Sequence, residues 1–205
     1  GRTGLARANL AAGDANAVVK VLLPPGVNKE ALSWETTVLL GQAYMLLRDN
    51  EKAEAYFKAA AKLNPRDTQS RTTLALGAIE RGSFDQGLAD LRAIAATDKG
   101  QVADSALVNV LLNRKDYAQA AKAAQALESK QPDAPFGTFL RGVVEQQRGN
   151  LAEARQAFEK LREKAPSYFP AVSALVSMDL REGKRAEARQ RIESFVSAQP
   201  RDVEA

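Results

Sequence analysis

The chain has 205 residues, 45% of them hydrophobic and 26% charged, with a formal net charge of +4. That balance is ordinary for a globular domain, and no apolar run is long enough to cross a bilayer. Cysteine and histidine are both absent, which excludes disulfides, the usual zinc, copper and haem sites, and every mechanism built on a Ser-His or Cys-His pair. The basic residues are scattered, with no dense run interleaved with aromatics, which argues against nucleic acid as a partner.

The opening Gly1-Arg2-Thr3-Gly4 shows no signal-peptide pattern and leads at once into helical spacing. It reads as a cut inside a longer protein, with Gly1 a cloning scar. Residues 2–23 have the pattern of a partial helix hairpin turning at Gly13-Asp14, and residues 24–33 form a longer loop. From Trp34 the pattern becomes regular. One helix carries Leu39, Leu40, Gly41, Tyr44 and Leu47, the turn is Arg48-Asp49-Asn50, and a second helix carries Ala53, Phe57, Ala60 and Leu63 before Pro65 stops it. Spacings of three and four residues between apolar positions are helical rather than strand-like.

This hairpin recurs. The small residue opening each second helix is Ala53, Gly87, Ala120, Ala154 and Ala188, in steps of 34, 33, 34 and 34. The closing positions Pro65, Lys99, Pro132, Pro166 and Pro200 repeat the same steps. The first helices offer Gly41, Ala75, Val108, Gly142 and Val176 at one slot, where small residues let two helices approach closely. Phe57, Leu91, Ala124, Phe158 and Ile192 fill the space beyond, Ala124 being the small exception. Gly82, Gly149 and Gly183 fall just past a first helix, where a left-handed cap is common. A repeated helix hairpin with these properties predicts an all-α superhelix: five full repeats at 34–67, 68–100, 101–134, 135–168 and 169–205, following the partial repeat and loop at 1–33. A hairpin cannot bury its apolar face alone, so stacking supplies the core.

The motif Leu40-Gly41, Tyr44, Ala53, Phe57, Ala60 and Pro65 resembles the tetratricopeptide repeat, with Thr37 in that family's Trp slot and Trp34 three residues before it. Gly87, Lys99 and Val108 depart at single slots and leave the period intact. The segments Lys130-Gln131-Pro132-Asp133, Leu140-Arg141-Gly142, Tyr168-Phe169-Pro170-Ala171 and Met178 to Lys184 also resemble the long repeat lipoprotein of the PEP-CTERM/exosortase system. That second resemblance implies an internal fragment of a bacterial envelope protein at the periplasmic face of the outer membrane, linked to exopolysaccharide export and surface-protein sorting. Its lipid anchor, the only membrane attachment implied, would lie outside this chain.

The repeat resemblance further implies that the second, fifth, ninth and twelfth positions of each unit face an inner groove. The fifth, ninth and twelfth are Val38, Gln42 and Met45; Thr72, Leu76 and Ile79; Ser105, Asn109 and Leu112; Phe139, Val143 and Gln146; and Ser173, Ser177 and Leu180. None is charged, so a clamp for a terminal carboxylate, which needs a cation nearby, is not expected. An apolar and neutral-polar groove suits an amphipathic helix or an extended peptide. Many of its aliphatic residues are expected to pack between neighbouring helices, whereas Gln42, Thr72, Ser105, Asn109, Gln146, Ser173 and Ser177 are expected to be exposed. Trp34 and Phe136, each at the start of a first helix, either cap the packing or stack on a ligand.

Charged residues at apolar slots predict ion pairs: Arg71 with Asp104, and Arg141 with Glu145 and with Asp179. Glu145 and Asp179 as an acid/base pair is the rival reading, disfavoured because an arginine between them keeps both ionised. Glu153 with Arg155, and Glu187 with Arg189, read as solvated outer faces. The residues thus point to a non-catalytic interaction scaffold with no cofactor. The rivals are a carbohydrate-binding module for exopolysaccharide and a structural spacer. In the last repeat, Ile192, Phe195 and Val196 are expected to stay partly exposed.

Overall fold

A computed structural model describes residues 1–198. Among these are twelve α-helices paired as six antiparallel hairpins: α1 Arg2–Ala11 with α2 Ala15–Leu22, α3 Trp34–Leu46 with α4 Asn50–Leu63, α5 Thr68–Glu80 with α6 Phe84–Thr97, α7 Val102–Asn113 with α8 Tyr117–Lys130, α9 Pro135–Arg148 with α10 Leu151–Lys164, and α11 Phe169–Arg181 with α12 Arg185–Ser197. The loop after α2 carries one 3-10 turn over Lys29–Ala31. The helices cluster into two compact units, Gly1–Ala106 and Leu107–Ala205, with the boundary inside α7. The five expected repeats and the partial sixth are all present as hairpins. Pro200, the last expected closing residue, lies outside the described residues.

Each hairpin turns through one left-handed residue: Gly13, Arg48, Gly82, Lys115, Gly149 and Gly183. The three expected glycines are among them. At Arg48 and Lys115, with φ of 58° and 60°, a side chain is carried where glycine is preferred. Aspartates seal several of the helices that follow. Asp14, Asp49, Asp67 and Asp116 accept from the backbone N–H three residues on, satisfying a donor that the first turn leaves free.

The helices of a hairpin meet at two slots sixteen residues apart. A Cβ on Gly41 would stand 2.9 Å from Phe57 Cε1, and one on Gly142 would stand 2.4 Å from Phe158 Cε1. The ring fills the space that the missing side chain leaves. Where the first slot grows to Ala75 or Val108, the second shrinks to Leu91 or Ala124, and all four are buried. Gly87 is explained differently: a Cβ there would lie 2.5 Å from the Ala75 carbonyl oxygen, so α5 and α6 approach backbone to side. Gly137 is the same device between α8 and α9, where a Cβ would lie 2.7 Å from Glu128 Cα.

Stacking closes the core. In the first unit Val18 and Leu22 of α2 pack with Leu40 and Ala43 of α3. In the second, Ala154 and Phe158 of α10 pack with Leu175 and Met178 of α11. Thr37, in the slot where the family carries Trp, is buried, and its hydroxyl donates to the Ser33 carbonyl at 2.8 Å.

The ionic pattern differs from the expected one. Arg141 lies 3.5 Å from Glu128 Oε2 rather than on Glu145, which accepts instead from Asn150 Nδ2 at 2.7 Å. Arg71 makes no ion pair among the described residues, although Asp104 is buried. Asp179, only 1% exposed, receives Arg155 of α10 and Arg191 of α12, each at 2.6 Å. Arg155 continues to Glu182 at 2.9 Å and Arg191 to Glu159 at 2.5 Å. Lys184 and Arg162 close the two ends at 2.6 and 3.0 Å. Seven charges of alternating sign thus run across α10, α11 and α12. Arg155 is therefore structural, not part of a solvated face. The i, i+4 spacing from Arg141 to Glu145 is compatible with a pair, but Glu128 on the neighbouring helix takes the guanidinium.

Burial pushes the Asp179 carboxyl up, but the hydrogen bonds and charges of Arg191 and Arg155 outweigh it and hold the group below the usual carboxylate range. Glu159 is likewise pushed up by burial and pulled below its usual value by Arg191 and Arg162.

Three outcomes follow from this packing. Replacing Gly142 with alanine is expected to cost about 1–3 kcal/mol in urea unfolding, because the Phe158 ring must shift, and adding Phe158→Leu recovers part of that loss. Lys115→Gly is expected to stabilise by about 0.5–1 kcal/mol, since relief of left-handed strain exceeds the entropy that glycine adds to the unfolded chain. Asp179→Ala is expected to cost about 3 kcal/mol at neutral pH, near the lower end for breaking a buried pair because both arginines keep a second carboxylate. A carboxyl depressed in the folded state stabilises above its unfolded value of about 3.9 and loses that contribution as pH falls through the folded value. The gap between wild type and Asp179→Ala in thermal melts therefore closes below about pH 4.

Candidate interaction groove

In the first unit, residues of α1, α3 and α5 line two adjoining recesses. One, of about 480 Å³, is lined by Arg7, Leu10 and Ala11 of α1 and by Trp34, Glu35, Val38, Leu39 and Gln42 of α3. The other, of about 390 Å³, is lined by Leu10, Gln42, Met45 and Leu46, with Phe57, Gln69 and Thr73. Leu10 and Gln42 belong to both. The lining is mostly apolar with amides and a hydroxyl between. Its two charges, Arg7 and Glu35, are paired with each other across α1 and α3. A surface of this kind offers apolar contact and neutral hydrogen bonding, with no cation left over for an incoming carboxylate.

Of the expected groove residues, Val38, Gln42 and Met45 line these recesses. Thr72 does not: it is 3% exposed and turned into the helix interface, with its hydroxyl buried and unpartnered. One residue further along α5, Thr73 takes the groove position, together with Gln69. Leu76 is half-buried beside them in sequence and lines neither recess. Ser105 is half-buried and returns its hydroxyl to the Val102 carbonyl at 3.0 Å.

In the second unit, Asn109, Ser173 and Ser177 are exposed, as expected. Ser177 donates to the Ser173 carbonyl at 2.9 Å, so its hydroxyl is spent within the helix. Gln146 and Phe136 are half-buried. Phe139 and Val143 pack against the buried cluster of Ala154, Phe158, Leu175 and Met178. Phe139 contacts the rings of Phe158 at 5.7 Å and Tyr168 at 5.8 Å, so most of it belongs to the core rather than to a ligand platform. A recess of about 340 Å³ in this unit is lined instead by Arg162, Pro166, Val172, Gln190, Arg191 and Phe195 with their neighbours on α10 to α12. None of the expected groove residues touches it.

Sequence reasoning missed Leu10, Trp34 as a recess wall, Gln69 and Thr73. Glu35 and Gln69 occupy the second position of their units, which the repeat resemblance places inward. Leu10 lies in the partial hairpin, where no complete motif signals its role.

Tetratricopeptide repeat models match residues 105–169 and, separately, 35–67, so tetratricopeptide repeats are present in those two stretches. No curated protein matches it in sequence. Solved structures resemble it in fold. The C-terminal part of a repeat-containing protein from Cytophaga hutchinsonii is 14% identical with a TM-score of 0.65, covering 97% of this chain and 83% of its own. A tetratricopeptide repeat protein from Parabacteroides merdae is 16% identical with a TM-score of 0.66, covering 97% and 79%. MamA from Desulfovibrio magneticus is 17% identical with a TM-score of 0.54, covering 80% and 93%. At such identities the likeness establishes the all-α repeat fold alone. Tetratricopeptide-repeat domains are in general non-catalytic modules that bind proteins or peptides.

Proposed function

We propose that this tetratricopeptide-repeat chain is a scaffold that holds an amphipathic helix or an extended peptide along the inner surface of its first unit. The observation that carries the reading is the pair of recesses sharing Leu10 and Gln42. Two apolar sockets in series fit two successive apolar anchors of one segment. Gln42 between them offers both a donor and an acceptor to the segment's polar groups. The internal Arg7–Glu35 pair leaves the groove without a spare charge, which favours an uncharged stretch over an acidic chain end.

The bacterial envelope as the setting, with exopolysaccharide export and surface-protein sorting, is supported by the resemblance of residues 130–133, 140–142, 168–171 and 178–184 to the PEP-CTERM-system lipoprotein. The tetratricopeptide-repeat matches support the scaffold and are silent on that setting. Direct polysaccharide binding is less favoured, because Phe136 and Phe139 are half-buried and Phe139 is held in a core aromatic cluster.

The test is capture from bacterial envelope extract, comparing the chain with a Val38→Glu/Gln42→Lys variant that folds with the same helical signal. Proteins held by the first and lost by the second identify the groove and its ligand. Polysaccharide in place of protein supports the carbohydrate reading. Equal capture by both overturns the groove and leaves a spacer.

A further inference from the structure

The first unit carries a charge at two slots that every later hairpin keeps neutral. Counted from the left-handed turn residue of each hairpin, Arg7 stands at the slot of Gln42, Leu76, Asn109, Val143 and Ser177. Glu35 stands at the slot of Gln69, Val102, Phe136 and Pro170. The two exceptions lie on different helices, α1 and α3, and they meet: Arg7 Nη2 donates to Glu35 Oε1. Both line the same recess, and among the described residues no other side chain lining either recess of the groove is charged.

A guanidinium exposed on the wall of an apolar recess is a ready partner for a carboxylate. Here Glu35 takes up that capacity. A segment bringing an Asp, a Glu or a chain end to the recess meets an Arg7 that is already paired and a half-buried Glu35 beside it, so attraction to one is offset by repulsion from the other. A neutral apolar segment leaves the pair intact. The pair is not needed to hold α1 against α3. Ala6 of α1 is buried in one cluster with Leu39, Leu40 and Ala43 of α3, and an exposed ion pair adds little to such packing.

We propose that Glu35 is the residue that sets the specificity of this groove: by occupying Arg7 it makes the groove take neutral apolar segments and turn away those with a carboxylate beside the anchor. The inference rests on the reading of this groove as a peptide site, and it assigns the selection to one side chain. Arg7 is a carboxylate site kept filled by its neighbour. Removing the charge of Glu35 frees the guanidinium, and an acidic flank then becomes favourable where it was unfavourable.

The test is selection of random displayed peptides on wild type, on Glu35→Gln and on Arg7→Gln/Glu35→Gln. Fluorescence anisotropy then follows the best binder of each and a twin with Glu and Gln exchanged. Circular dichroism is expected to show the same helix content in all three, since the buried cluster is untouched. Wild type is expected to enrich apolar anchors with neutral flanks. Glu35→Gln is expected to enrich an acid beside the anchor, and to shift the acidic-to-neutral affinity ratio about fivefold toward acid at low salt, the scale of one exposed ion pair. That gain fades as salt rises and is absent from the double variant. A pair that only fastened α1 to α3 would change both twins alike, so a ratio unmoved by Glu35→Gln overturns the proposal. So does a wild type that enriches acidic sequences, and so does a gain that survives the loss of Arg7. Val38→Glu/Gln42→Lys separates the two readings. If it retains the peptides selected on wild type, or if wild type selects none, the groove is not the site and both fall. If it loses them while the ratio stays unmoved, the groove stands and the role of Glu35 alone falls.

Discussion

The close approach of the two helices in a hairpin is the constraint on which the rest of the structure depends. At Gly41 and Gly142 the first helix has no side chain, and a phenylalanine ring from the second helix occupies that volume. Where the first slot holds Ala75 or Val108, the partner is Leu91 or Ala124. The sum of the two volumes matters more than either residue, because a packed interior tolerates neither a void nor an overlap. This exchange lets hairpins of different composition keep a common spacing, and common spacing is what allows one hairpin to stack on the next. The left-handed turn residue sets the register, so strongly that Arg48 and Lys115 accept a conformation that glycine enters at less cost.

The last hairpin is held by a different force. Among the residues of α12, Ala188 alone is buried, and Ile192 and Val196 remain exposed. Its attachment relies on Arg191, which reaches both Asp179 and Glu159, and on the contact of Phe195 with Phe169 at 5.3 Å. A buried carboxylate is tolerated there because two guanidinium groups hold it ionised. The chain of alternating charges leaves each carboxylate with two cationic partners, which offsets much of the cost of taking Asp179 out of water. The same geometry excludes Asp179 from acid/base chemistry: a carboxylate bound twice by arginine is a poor proton acceptor at neutral pH.

The two units use the inner faces of their first helices differently. In the first, the side chains stand apart and leave adjoining recesses. In the second, Phe139 and Val143 fold back onto the core, filling the volume beside the Phe158 ring. The large aromatic residues of α9 thus serve packing. The open surface falls where the side chains are smaller or longer and more flexible, at Leu10, Gln42, Met45 and Thr73. An apolar groove of this kind selects by shape and by the spacing of anchors, since its charges already satisfy each other.

Hairpin pairing and repeat register were legible in the chain alone, because each rests on local chemistry: apolar spacing of three and four, and a proline or a left-handed turn at a fixed interval. Several pairwise contacts were not. Arg141 has a carboxylate one turn away on its own helix, yet it turns to Glu128 across the interface, and Asp179 takes its partners from α10 and α12. Long charged side chains span several candidates, and sequence spacing cannot rank them. Thr72 and Thr73 show the same limit at finer scale. Both sit near the inward stripe, yet Thr72 is buried in the helix interface and Thr73 lines the recess. Which of two adjacent threonines faces the groove is decided by the helices packed against α5, so it leaves no periodic trace in the sequence.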